Sequence, residues 1–287
     1  MANKSLGAHF VKCLKEGNTK KALYIINLLG DKVNALYGAK SLLCWAKEFE
    51  NDEVARVLEE KGAVEKVISA EEAKKLGLEL IEKAEVGDLD AVMELVGKGS
   101  NVDEKDEDGD TALMIASKNG HVEVVKALIE NGAKVDEKNN NDDTPLMWAS
   151  GDGTVEVVKA LLDAGAKVDE KDEDDVTALM CASGWGHVEV VEALLDAGAK
   201  VDEKDEDGDT ALIFASRYGC LDVVKTLIEN GAKVDIKNND GKTAMSLAKD
   251  EETRRAILEA VKKRNEKAKE NEPSFMDRVK GLLGKGK

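Results

Sequence analysis

Residues 111–136 read TALMIASKNGHVEVVKALIENGAKVD, and similar stretches recur along the chain at intervals of 33 residues. The threonine that opens the stretch recurs as Thr111, Thr144, Thr177, Thr210 and Thr243. The glycine near its end recurs as Gly99, Gly132, Gly165, Gly198 and Gly231. A fixed period of this length indicates stacked repeats, in which each unit packs only on its neighbours.

Each repeat predicts a pair of short helices. Thr144 followed by Pro145 suits an N-cap and a first helical position, because proline lacks only an N–H that would be unpaired there. Gly120 ends the first helix, and Gly132 supplies a left-handed C-cap to the second. The second helix carries one apolar stripe, formed by Val124, Val125, Leu128 and Ile129. One such pair cannot bury its apolar face alone, so neighbouring pairs must stack.

With these motifs the sequence resembles the ankyrin-repeat family, whose signature is T-P-L-H-x-A. T-[AP]-[LM]-x-x-A occurs five times within residues 100–260, and G-H-V-E-V-V stands at 120–125 and 186–191. The resemblance implies an all-α helical repeat solenoid with short β-hairpin fingers, of about seven helix-pair units including diverged caps. The family's histidine is replaced by Met114, Met147, Met180, Ile213 and Ser246, so apolar packing should replace its hydrogen bonds.

The repeat spacing divides the chain into three parts. Residues 1–99 hold diverged N-terminal capping and irregular repeats, 100–262 the regular array with a C-terminal capping repeat, and 263–287 a charged linker and a short amphipathic tail. Ser69 and Glu72 form a capping-box pattern that predicts a helix to about Val86, in place of a finger. The tail is basic, and three placements stay open for it: as a cap on the array, on a partner in trans, or at an anionic membrane.

Most of the chain's acidity lies in the fingers, which link one helix pair to the next. The five fingers, 102–110, 135–143, 168–176, 201–209 and 234–242, carry formal charges of -5, -3, -5, -5 and 0, against -17 for the whole chain. Such a surface repels phosphates, so no direct nucleic-acid partner is expected. Two interpretations stay open: acidic turns keep a repeat array soluble, or an acidic rim attracts a basic partner.

The aromatic residues gather in two columns of the repeat, counted from the threonine as position zero. Position four holds Trp45, Ile115, Trp148, Cys181, Phe214 and Leu247, and favours half-buried packing. Position eight holds Phe49, Asn119, Asp152, Trp185 and Tyr218. A core role is less natural there, and this part of the first helix commonly contacts ligands in ankyrin-like proteins. The predicted binding patch is Lys118, Trp148, Trp185, Phe214, Arg217 and Tyr218, and the predicted charged rim is Glu107, Asp108, Asp110, Glu206, Asp207 and Asp209.

These features favour a non-catalytic scaffold that binds another protein. Its concave face would hold a basic or mixed basic–apolar segment of that partner. The alternative is an inhibitor or immunity-type protein that masks the basic cleft of a nucleic-acid-acting enzyme by imitating a polyanion. Either protein would need no cofactor and would be monomeric alone.

Catalytic and metal chemistry find little support. His121 and His187 stand where the family uses histidine structurally, Cys220 shares that column, and no histidine is placed to activate Cys181. The finger stretch from Glu104 resembles the start of an EF-hand loop but has Ile115 where the ligand glutamate should stand, which leaves only weak divalent binding by clustered carboxylates. The four cysteines show no close pairing, and no export signal or membrane-length apolar run occurs, so a cytoplasmic location is expected.

Overall fold

A computed structural model of the protein describes residues 10–29, 36–37, 40–61 and 69–270. Consecutive helix pairs make up most of the described residues, which confirms the predicted all-α repeat fold. The chain divides into two compact units, Met1–Ala178 and Leu179–Lys287. The three-part division expected from the sequence stays a prediction.

The first unit begins with a diverged module. Residues 10–15 are helical and are followed by α1 (Thr19–Leu29), a two-stranded antiparallel ribbon of β1 (Leu36–Tyr37) and β2 (Lys40–Ser41), α2 (Leu42–Glu48) and α3 (Asp52–Glu60). Phe10, Ile26, Leu42 and Leu58 are fully buried in its core. Trp45 and Phe49, from the two aromatic columns, stack on one another with ring centroids 5.9 Å apart.

The irregular repeat of the first unit is built on a long helix. It comprises α4 (Ala70–Glu85) and α5 (Leu89–Gly97), and the Ser69 hydroxyl caps α4 by accepting a hydrogen bond from the Glu72 amide at 3.0 Å. The first finger packs directly on α4, because Gly77 has no side chain. A Cβ at Gly77 would collide with Glu104 Cβ and would lie 2.9 Å from the carbonyl oxygen of Asn101.

The regular repeats have one common plan. In the first unit they contribute α6 (Ala112–Lys118), α7 (Val122–Glu130), α8 (Pro145–Asp152) and α9 (Val155–Asp163). In the second they contribute α10 (Ala178–Trp185), α11 (Val188–Asp196), α12 (Ala211–Tyr218), α13 (Leu221–Glu229), α14 (Ala244–Leu247) and α15 (Glu251–Glu270). In four of these five pairs the second helix buries the same leucine completely, at Leu128, Leu161, Leu194 and Leu227. This shared buried face is the stripe that the sequence pattern predicts.

The residues that replace the family's histidine are only partly as expected. Met114 and Met147 are buried, as apolar packing requires. However, the Met114 sulfur also accepts a hydrogen bond from the Thr111 amide at 3.5 Å, and the Met147 sulfur accepts one from Thr144 at 3.4 Å. At Ser246 the hydroxyl accepts from the Thr243 amide at 2.8 Å. The expectation that these hydrogen bonds are absent is therefore wrong at Met114, Met147 and Ser246, because sulfur and hydroxyl groups still reach the N-cap amide.

The final helix is longer than the array boundary at 262 suggests. α15 continues to Glu270, so most of the segment expected as a charged linker is helical. The reason lies in its composition, since residues 263–270 read KRNEKAKE and contain strong helix formers without glycine or proline. The amphipathic tail that follows lies outside the described residues.

Candidate partner-binding surface

The second unit presents exposed aromatic rings at the ends of consecutive first helices. Trp185 ends α10 and is 74% exposed, and Tyr218 ends α12 and is 53% exposed. Phe214, one turn before Tyr218, is half-buried. A Cβ on Gly184 would lie 3.5 Å from the Phe214 ring and 3.7 Å from the Tyr218 ring, so both rings lie close to α10. We call Trp185, Phe214 and Tyr218 the aromatic patch.

Arg217 is held against the aromatic patch by a buried carboxylate. Its guanidinium donates to Asp209, and its central carbon lies 5.9 Å from the Phe214 ring centroid. Asp209 is only 1% exposed and also accepts a hydrogen bond from the Asn238 side chain at 2.8 Å. The Asp209 carboxylate therefore compensates the Arg217 charge, and Arg217 is fixed in place before any partner arrives.

The prediction that Asp209 and Asp110 belong to an exposed acidic rim is wrong. Asp110 is 7% exposed and accepts a hydrogen bond from the Asn139 side chain at 2.9 Å, as Asp209 does from Asn238. Burial raises the pKa of Asp110, although the Asn139 hydrogen bond opposes this. Both aspartates immediately precede the capping threonine of a first helix, where the next finger covers them.

The first unit carries a related but more buried pair. The Lys118 ammonium lies 4.0 Å from the centroid of the Trp148 ring, a cation–π contact between α6 and α8. Trp148 is half-buried, and its Nε1 is enclosed with no hydrogen-bond partner. This environment fits the packing role expected for position four. Lys118 and Trp148 lie in the first unit and the aromatic patch in the second, and their union in one binding surface stays a prediction.

The inner part of the fingers is joined by lysine side chains. Lys105 Nζ donates to the Lys138 carbonyl at 2.6 Å, and Lys138 Nζ donates to the Lys171 carbonyl at 2.7 Å. In the second unit Lys204 makes the same bond to Lys237 at 2.9 Å. Glu137 and Glu170 form ion pairs with Lys105 and Lys138 at 3.0 and 3.5 Å, so part of the finger charge is neutralised.

The exposed acidity lies at the finger tips. Glu107, Asp108, Glu206 and Asp207 are exposed, so four of the six predicted rim residues face solvent. Their main chain is bound to the next finger, since Asn239 donates to the carbonyls of Glu206 and Asp207 at 2.8 and 2.9 Å. The expected β-hairpins are reduced to turns, with single antiparallel bridges at Lys105–Thr111 and Lys171–Thr177 in the described fingers.

One position within the finger is aspartate in some repeats and asparagine in others. It is occupied by Asp106, Asn139, Asp172, Asp205 and Asn238. Asp172 accepts amide hydrogen bonds from Asp174 at 3.0 Å and Val176 at 2.8 Å, and Asn139 makes the equivalent pair at 3.0 and 2.9 Å. Burial raises the pKa of Asp172 and of Asp205, more than these hydrogen bonds lower it.

We expect Asp172→Asn to stabilise the protein at pH 7. The folded-state pKa of Asp172 lies above its unfolded value, so the folded form binds the proton more tightly. Stability therefore falls as pH rises from the unfolded-state pKa through the folded-state pKa. Asparagine keeps the accepting oxygen and removes the charge. Because Asp172 stays partly exposed, solvent screening limits the gain to under about 1 kcal/mol.

Urea unfolding at pH 7 and pH 3 measures this gain, which should shrink at the lower pH. Asp174→Asn is the matched control, because it removes the same charge from an exposed residue of the same finger. A variant that is no more stable than the parent at pH 7 would contradict the linkage.

The histidine and cysteine of the second-helix start have structural contacts. His121 Nε2 lies 2.9 Å from the carbonyl oxygen of Glu85, and the Cys220 thiol donates to the carbonyl of Gly184 at 3.6 Å. Each contact joins one repeat to the preceding first helix, and burial raises the pKa of the Cys220 thiol. Among residues 10–29, 40–61 and 69–270 no three or more histidine, cysteine, aspartate or glutamate side chains are grouped so that they could hold a metal ion. No helix in the described part of the chain is long and apolar enough to cross a membrane.

Helix pairs at a fixed period, linked by fingers that bond to one another, define a tandem-repeat protein. The family model for ankyrin repeats matches residues 80–172 and 165–238, in three copies. The match spans more than half of the chain, which therefore belongs to the ankyrin-repeat family. A comparison with curated proteins finds no match. Ankyrin repeats are generally protein–protein interaction modules and are typically non-catalytic.

Proposed function

We propose that the second unit binds a basic–apolar segment of another protein through the aromatic patch. The observation that carries this proposal is the exposure of Trp185 and Tyr218 at equivalent positions of consecutive repeats. Large aromatic side chains are usually well buried in a protein that has no partner. Tryptophan, tyrosine and arginine are also the residues that most often dominate binding energy at interfaces.

The charge around the aromatic patch favours a basic partner. Asp209 compensates Arg217, whereas the carboxylates of Glu206 and Asp207 are exposed on the same finger. Lysine or arginine side chains flanking the apolar anchors of a partner would be attracted to these tips. This attraction would speed association and would weaken as salt shortens the Debye length to about 8 Å at physiological ionic strength.

A displayed library of random peptides, selected on the full chain, tests the proposal. The selected peptides should be enriched in basic and apolar residues. We expect Trp185→Ala with Tyr218→Ala to weaken their binding by at least about a hundredfold, since a hot-spot residue contributes roughly 2 kcal/mol or more. Circular dichroism should show unchanged helix content, because neither side chain is part of the buried core.

Matched controls separate the patch from general surface effects. Met245→Ala and Leu258→Ala remove apolar side chains of the same unit that are 39% and 41% exposed, and should leave binding unchanged. Glu206→Gln with Asp207→Asn should slow association and reduce its salt dependence, with a smaller effect on dissociation. Selected peptides that bind the Trp185 and Tyr218 variant as tightly as the parent would refute the proposed site.

A further inference from the structure

The chain itself contains a segment with the chemistry proposed for the partner. Residues 273–287, which follow α15, read PSFMDRVKGLLGKGK. They carry four basic side chains and one acidic side chain, in a protein whose net charge is -17. Their apolar residues recur at helical spacing, which predicts one apolar face, and are Phe275, Met276, Val279, Leu282 and Leu283. We infer that this segment is an internal ligand of the aromatic patch, an inference that rests on the proposed function.

The segment is long enough to reach the aromatic patch. Residues 271–287 begin where α15 ends, and α15 packs against α13 within the second unit. Extended chain spans about 3.3 Å per residue, so a segment of this length covers up to roughly 55 Å. A compact unit of about 110 residues has a radius of gyration of roughly 13 Å. The tail can therefore reach the aromatic patch as extended chain, and a helix over 273–287 would itself span about 22 Å.

Charge decides between the two apolar surfaces that the second unit offers. One is the end face, with Met245 and Leu258 half-exposed. On α15 the neighbours of Leu258 at helical spacing include Arg254, Arg255 and Lys262. Glu251 pairs with Arg254 at 2.8 Å and with Arg255 at 3.9 Å, so a basic tail meets a partly compensated like charge there. The aromatic patch has the exposed carboxylates of Glu206 and Asp207 on its finger, against the Lys249 ammonium, which donates to the Tyr218 carbonyl at 3.4 Å. Its rings are also more exposed than the end-face residues. The tail is therefore better matched to the patch.

Tethering makes even a weak contact effective. The covalent connection to α15 gives the tail an effective concentration in the millimolar range near the patch. With an intrinsic dissociation constant of about 0.1 mM, the tail would occupy the patch roughly nine-tenths of the time. A partner in trans would then bind about tenfold more weakly than to the open patch. The tail thereby sets the affinity threshold that a partner must pass.

The test uses the full chain labelled with 5-fluorotryptophan. Trp45, Trp148 and Trp185 should give three fluorine signals, which substitution of each tryptophan by phenylalanine assigns. The tail variant changes Phe275, Leu282 and Leu283 to serine. We expect it to shift the Trp185 signal and leave the Trp45 signal in place. A synthetic peptide of residues 273–287, added in excess to this variant, should reverse the shift.

A second readout is binding of a peptide selected on the chain, whose affinity should rise about tenfold in the tail variant. The control variant places serine at Gly281, Gly284 and Gly286, which adds the same number of hydroxyl groups and keeps the apolar face. It should behave as the parent does.

The outcomes distinguish this inference from the proposed function. If selected peptides bind through Trp185 and Tyr218 with equal affinity to parent and tail variant, the patch is a binding site but the tail is not its ligand. A different result would show that the tail caps the end face and that the inference is wrong. In that case the tail variant leaves the Trp185 fluorine signal unchanged and lowers the free energy of unfolding. The added peptide of residues 273–287 then no longer acts on the tail variant once Leu258 is also changed to serine.

Discussion

Asp209→Ala is expected to lower the free energy of unfolding by about 3 kcal/mol, because it breaks a buried charge pair. The substitution leaves the Asn238 amide without its acceptor and the Arg217 guanidinium without its counter-charge. Breaking a buried ion pair by removing one partner costs about 3–5 kcal/mol. Arg217 stays partly exposed, so we expect a loss at the lower end of that range. Chemical denaturation followed by circular dichroism measures it.

Asp207→Ala is the matched control for this prediction. It removes the same side chain from the same finger, but from an exposed tip, and should change stability by less than about 0.5 kcal/mol. Equal losses of stability for the two variants would show that the buried Asp209–Arg217 ion pair does not exist. Asp209→Ala should also weaken binding of a basic peptide, although Asp209 hardly touches solvent, because Arg217 would then present an uncompensated positive charge beside the aromatic patch.

Gly77→Ala should destabilise the first unit by roughly 2 kcal/mol. The added methyl group would meet Glu104 and the Asn101 carbonyl, and overpacking against backbone costs up to about 3 kcal/mol. Alanine is about 1 kcal/mol better than glycine inside a helix, which offsets part of that cost. The midpoint of urea unfolding should therefore move to lower denaturant concentration.

Gly97→Ala, in the neighbouring helix, is expected to change the free energy of unfolding in the opposite direction. Gly97 ends α5, and a Cβ there would meet no atom within 4 Å, so the helix propensity of alanine should give a gain of up to about 1 kcal/mol. If Gly77→Ala were also stabilising, the first finger would not lie against α4. The pair of variants therefore tests whether the first finger packs on α4.

Much of the fold follows from local patterns in the sequence. The period, the capping threonines and the left-handed glycines predict the helix pairs, because each feature depends only on neighbouring residues. The two aromatic columns also separate the half-buried Trp148 and Phe214 from the exposed Trp185 and Tyr218. Whether these residues bind a partner stays a prediction.

The buried aspartates could not be predicted from charge alone, since a carboxylate in an acidic turn is ordinarily solvated. A signal does exist in the spacing. Asp110 with Lys118 and Asp209 with Arg217 each place a basic residue eight positions after the aspartate, whereas Asp143 is followed by Gly151. Arg217 reaches Asp209 in the structure, and the charge of Lys118 lowers the pKa of Asp110 against the effect of burial. Both aspartates are buried, so a base at this spacing indicates a buried aspartate.

The lysine bonds between fingers bear on how such a chain can change in length. Lys105 bonds to the carbonyl 33 residues ahead, and Lys138 repeats the bond to Lys171. Loss of one whole period between these lysines would bring Lys105 opposite Lys171, which offers the same carbonyl. Gain of a period would insert one more identical bond. A deletion of any other length would move the donor away from its acceptor in the bond that spans the deletion. Whole repeats can therefore be gained or lost during evolution at little cost in stability. Interior repeats are interchangeable in this respect, whereas the terminal repeats are not.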